Sequence, residues 1–303
     1  MTRTPPRTVS HSPLTMPFQA AHSVPVAEPD VNAPVNPFAN QHQLPVPDYP
    51  RLHLHRQFHS RFLPADRDLI VYLPEAYERQ PERSFPVLYL QDGQNLFNEH
   101  TSYIPGRIWD VHRTADKLIA SGDVEPLIVV GVYNTGESRL WEYTPSHDPK
   151  IGGGHADLYG RLLIEELLPF LRSQYRTLNG PTHCGLGGSS LGALVSLYLG
   201  LLHADTFGKL AVMSPSVWWD HKSILAFVNE ALPKPDLRIW LDMGTAEGKR
   251  GLRDADLLHR LLLQHGWADG CDLHYLRAAG ATHDETSWAQ RVGPMLKFLF
   301  PGS

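Results

Sequence analysis

Two cysteines in 303 residues leave no room for a disulfide framework. Both Cys184 and Cys271 are placed inside apolar strands by the sequence and read as small core residues. Basic side chains are not in excess: 27 Lys and Arg face 32 Asp and Glu, for a net charge of −5. That balance gives no electrostatic footprint for a nucleic-acid partner. No apolar run reaches the roughly 18 residues that would span a bilayer, so no membrane partner is expected either. His53, His55 and His59 share one stretch, yet no Asp, Glu or Cys stands at ligand spacing beside them. The expectation is no metal and no cofactor, and a small molecule as partner.

Proline is unevenly spread: 11 of the 26 fall in residues 1–50, interleaved with Ser, Thr, Asn and Gln without periodicity. This segment reads as a disordered tail, and 51–303 as one catalytic domain of ordinary size. No apolar segment of leader length follows Met1, and Arg3 and Arg7 are only weakly transit-like; cytoplasm is the expected compartment. Strands are expected at 51–62 (an alternating edge strand), 68–73, 85–90, 126–132, 182–186, 210–213, 237–241 and 273–276. Helices are expected at 108–119, 158–171, 191–202, 222–231, 251–265 and 285–300. Such alternation predicts an α/β fold with a mostly parallel central sheet, helices on both faces and no large lid. In such sheets the site lies beyond the carboxyl ends of the strands.

The segment Gly188-Ser189-Ser190-Leu191-Gly192 fits the pattern that carries a nucleophilic serine on a sharp strand-to-helix turn. A serine hydroxyl needs a base to take its proton and a carboxylate to orient that base. Among later histidines, His283 alone sits in a loop directly after a late strand, in Gly280-Ala-Thr-His-Asp-Glu285, and is the expected base. For the acid, Glu247 in a glycine-bounded loop is preferred to Asp242, which is still close to its strand. An oxyanion hole would use the N–H of Leu191, after the nucleophile, and that of Gln94, with Gly93 permitting the turn.

With these motifs the chain resembles the putative esterase family, which includes esterase D, the enterochelin esterases, the feruloyl esterase domains and the mycolyltransferases. The resemblance covers about residues 65–300. It rests on Tyr72-Leu-Pro74, Leu88-Tyr-Leu-Gln-Asp-Gly93, Arg139 with Glu142-Tyr-Thr-Pro145, the serine elbow, and Phe207-Gly-Lys with Met213-Ser-Pro215 and Trp218-Trp219. Asp242-Met-Gly-Thr with Glu247, and His283-Asp-Glu with Trp288 and Arg291, complete it. It implies an α/β-hydrolase fold and a serine ester hydrolase with Ser190, His283 and Glu247 in the three roles. Some members carry Asp at the acid position, and Ala193 stands where a second glycine is frequent. The other readings are an acyltransferase working through the same acyl-enzyme, and a non-catalytic binding descendant. Trp109, Trp218 and Trp219 are expected on the active-site side of the sheet, giving an aromatic, shallow pocket for short acyl or aryl esters.

Overall fold

Continuous apolar runs become the centre of one eight-stranded sheet in the computed structural model, which describes residues 49–231 and 233–302. The strands are β1 (Leu52–Phe58), β2 (Arg67–Tyr72), β3 (Val87–Gln91), β4 (Ile128–Val132), β5 (Cys184–Ser189), β6 (Lys209–Met213), β7 (Arg238–Gly244) and β8 (Leu273–Ala278). Their spatial order is β1-β2-β4-β3-β5-β6-β7-β8, with β1/β2 and β2/β4 antiparallel and the remaining pairs parallel. This is the mostly parallel sheet of the α/β-hydrolase fold. Every residue of β2, β3, β4 and β5 is buried, because both faces are covered. One face packs on a core that includes the helices at 156–174 and Leu191–Leu202; the other packs on Val111–Ala120 and Glu285–Leu299.

The edge strand is shorter than its alternation predicts. It ends at Phe58 after an irregularity between His55 and Phe58, where Gln57 takes φ 52° and donates its N–H to Asp68. Among the described residues no group of three or more His, Cys, Asp or Glu could hold a metal; His55 meets the Tyr175 hydroxyl and His59 meets Asp66. The expected helix at 158–171 runs from Ala156 to Gln174, with a π-helical stretch at Leu162–Leu167. Pro169 follows at once, and its missing N–H and bulky ring disfavour ordinary i−4 pairing there, which accounts for the wider turn. Cys184 is buried, but Cys271 is exposed: it precedes β8 rather than lying in it, so it is no core residue.

The expected tail at 1–50 lies outside the described residues except for its last two. Tyr49 is already tied to the domain, donating its hydroxyl to Asp116, which also accepts from Arg51 and from the Tyr72 hydroxyl at 2.6 Å. No helix among the described residues is long and apolar enough to cross a membrane.

Candidate active site

Ser190 stands between β5 and the Leu191–Leu202 helix at φ 57°, ψ −120°, a conformation that strains any side chain bearing a Cβ. It is clamped from both sides: its N–H donates to Met213 O at 3.1 Å, and its carbonyl accepts from Ser216 N–H at 3.1 Å. The flanking glycines are there for space. A Cβ on Gly188 or Gly192 would come within 2.9 Å of Gln91 Cβ on β3. The strand sets the hydroxyl at the carboxyl edge of the sheet, where it lies 3.2 Å from Ser216 Oγ.

His283 occupies the loop between β8 and the Glu285–Leu299 helix and is half-exposed, 47% by side chain. Its Nδ1 is 2.7 Å from Glu247 Oε2. A proton on Nδ1 shared with that carboxylate leaves Nε2 as the acceptor. Glu247 lies in the loop after β7, its side chain only 3% exposed. Its Oε1 accepts from Ser214 Oγ at 2.6 Å and from Gly244 N–H at 2.8 Å. Burial pushes this carboxyl up, and the hydrogen bonds from His283, Ser214 and Gly244 outweigh it, holding it below its ordinary range.

Asp242 faces elsewhere. It is fully buried on β7 and accepts from Trp240 Nε1 at 2.8 Å, Ser214 N–H at 3.1 Å and Arg291 Nη1 at 2.5 Å. Burial pushes its carboxyl up to about 6 against the pull of Arg291. Ser214, at φ 45°, ties the two acids together: its hydroxyl also accepts from Trp288 Nε1 at 3.0 Å and Arg291 Nη1 at 3.2 Å.

Ser190 and His283 line one cleft of about 320 Å³ together with Asp92, Asn95, Tyr103, Asn134, Arg139, Glu285 and Trp288. Among the described residues no hydrogen bond joins Ser190 to His283, as is common before substrate tightens such a pair. Arg139 grips both oxygens of Asp92 at 2.7 Å, and Asn134 Nδ2 adds a third donor at 2.7 Å. A second recess of about 160 Å³ on the other side of His283 is lined by Ser216, Trp218, Met243, Glu247 and Arg250. A larger hollow of about 430 Å³, lined by Tyr198, Leu202, Phe227 and Pro235 among others, shares no residue with either and holds no nucleophile–base pair.

Gln94 is buried in a one-turn helix after β3, and Leu191 opens the helix after Ser190. Neither backbone N–H is taken up by a hydrogen bond among the described residues. The turn before Gln94 is made differently from the expectation: Asp92 takes the left-handed conformation, φ 57°, and not Gly93. Gly93 is needed for close approach, since a Cβ there would lie 2.5 Å from the Gly131 carbonyl carbon on β4.

The three tryptophans separate. Trp109 is 1% exposed and packs on Trp288 with ring centroids 5.8 Å apart, and Trp219 is 0% exposed with its Nε1 donating to Ser146 O. Neither lines the cleft or the recess, because each finds an apolar enclosure one layer below the surface. Trp218, 43% exposed, does border the recess beside His283. Trp288, quoted in sequence only as part of a motif, is the indole in the cleft wall. Asp92, Ser214 and Glu285 stand inside quoted motifs without a role assigned to them, and Ser216 carried no signal.

Known proteins carry related sequences and folds. The family model described as Putative esterase matches residues 60–299. The uncharacterized protein YjcH of Bacillus subtilis (strain 168) is 27% identical over 251 residues, which cover 80% of this chain and 95% of that protein. An iron(III) salmochelin esterase of Escherichia coli O6:H1 is 26% identical over 223 residues, 69% of this chain and 49% of that one. An IroE-like serine hydrolase structure from Shewanella oneidensis superposes with a TM-score of 0.67 at 22% identity, covering 82% of this chain and 80% of that chain.

Proposed function

The chain belongs to the putative esterase family, as a carboxylic ester hydrolase of the α/β-hydrolase fold, and we propose that it works through an acyl-enzyme on Ser190, with His283 as base and Glu247 as the orienting acid. Ser190 Oγ attacks the ester carbonyl carbon while His283 Nε2 takes the hydroxyl proton. Glu247, ionised and bonded to Nδ1, stabilises the imidazolium that forms. The oxyanion is met by the N–H groups of Leu191 and Gln94, which compete with no internal acceptor. Collapse breaks the bond to the alcohol, which leaves with the proton from Nε2. Water, deprotonated by the same nitrogen, then releases the acid and restores Ser190.

The observation that carries this reading is Ser190 at positive φ, sharing a cleft with a histidine whose Nδ1 is 2.7 Å from a buried carboxylate. The cleft is modest, open and edged by Trp288 and Tyr103, which suits short acyl or aryl esters. A fluorophosphonate probe tests the reading: it should label the wild-type protein on the peptide carrying Ser190, and leave Ser190→Ala unlabelled. Labelling elsewhere, or none with an ester-hydrolysing protein, would contradict it.

A further inference from the structure

The acyl-transfer chemistry leaves one carboxyl in the cleft wall without a task. Glu285 opens the Glu285–Leu299 helix two residues after His283, and is 3% exposed. It lines the same cleft as Ser190, and its Oε2 is buried with no hydrogen-bond partner among the described residues. The guanidinium groups nearby are drawn to other carboxylates. Arg139, across the cleft, is held by both oxygens of Asp92; Arg291 Nη1 bonds Asp242 and Ser214 while its Nη2 stands 3.6 Å from Glu247; Arg107 stands 4.0 Å from Asp284. Asp284, not Glu285, caps the helix, accepting from Ser287 N–H at 3.0 Å. Burial accordingly pushes the Glu285 carboxyl above its ordinary range. A buried acceptor left empty is costly, and in a cleft wall its natural partner is a donor carried by the ligand.

We propose that Glu285 is a specificity-determining residue that accepts a hydrogen bond from a hydroxyl group, alcoholic or phenolic, on the part of the ester occupying the Ser190 cleft. The proposal rests on the esterase reading above. A neutral hydroxyl fits better than an ammonium group, because the cleft already holds the Arg139 guanidinium and, during turnover, the His283 imidazolium. Sites built to meet a substrate hydroxyl discriminate strongly against the analogue lacking it, since the protein group is then left buried and unpaired.

The test compares 4-nitrophenyl esters in pairs differing by one hydroxyl: 3-hydroxybutyrate with butyrate, and the three hydroxybenzoates with benzoate. In the wild type, kcat/KM should favour the hydroxylated member of at least one pair by about tenfold or more. Glu285→Ala should bring that ratio to about 1, and the isosteric Glu285→Gln, which keeps an acceptor, should fall between. Melting temperature should not drop in either variant, because an unpartnered buried carboxyl is removed. No hydroxyl preference in the wild type, or a ratio unchanged in both variants, overturns the proposal; so does a stability loss with an unchanged ratio. Fluorophosphonate labelling of Ser190 is run alongside. Its retention with an unchanged ratio sinks only the role of Glu285, whereas its loss sinks the acyl-enzyme reading.

Discussion

Glu247 Oε2 lies 2.7 Å from His283 Nδ1, while Asp242, five residues earlier on the same strand and loop, bonds Arg291 instead. The two acids at the end of β7 are thus divided between imidazole and guanidinium, with the Ser214 hydroxyl and N–H reaching one each.

This division predicts different losses for the two amides. Glu247→Gln should lower kcat by roughly 10²–10⁴-fold, with only the modest loss of melting temperature that its lowered carboxyl implies, because the shape survives and the charge behind the imidazolium does not. Asp242→Asn should do the reverse. It leaves Arg291 buried beside a neutral group, at a cost on the order of 3 kcal/mol of stability. Kinetics and thermal melts on both variants check the pair, and a larger kcat loss for Asp242→Asn would exchange the assignments.

Acid should weaken the fold partly through Glu247. Its carboxyl is held below the ordinary value of 4.5 in the folded chain, so the unfolded chain takes up this proton first. The stabilisation is fully present above about pH 4.5 and is lost as pH falls through the lower folded value. Melting temperatures of wild type and Glu247→Gln between about pH 6 and pH 3 should therefore converge on acidification. A constant gap would contradict the hydrogen bonds that lower this group.

Neighbouring tryptophans should respond differently. Trp219 is fully buried, and its replacement by alanine should cost about 3–5 kcal/mol of stability. Trp218 borders the recess next to His283 and is 43% exposed, so Trp218→Ala should raise KM for aryl esters while melting temperature stays close to wild type. A large stability loss at Trp218 with KM unchanged would remove it from substrate binding.

Much of this arrangement could be read from sequence, because its signals are local. The apolar runs at 85–90 and 126–132 become β3 and β4, and the elbow glycines mark a junction where only hydrogen fits beside Gln91. The loop position of His283 likewise follows from the strand before it and the helix after it. What escaped depends on which strands lie side by side. Arg139 meets Asp92 across 47 positions, and Ser214 joins β7, its following loop and the last helix; neither pairing leaves a periodic trace. Tryptophan burial was equally hidden, since Trp109 and Trp218 carry the same side chain and differ only in what packs over them. The π-helical stretch was not read in advance, because the periodicity of 158–171 runs through Pro169 as one helix.

The most direct measurement is the kinetic cycle of Ser190→Ala, His283→Ala and their double variant on one ester the wild type hydrolyses well. Residues that act as one unit lose their effect together, so each single variant should fall in kcat by about 10³-fold or more, and the double variant hardly further. Ser190→Ala retaining more than about a tenth of wild-type kcat, or two losses that multiply in the double variant, would contradict an acyl-enzyme formed by Ser190 and His283 acting together.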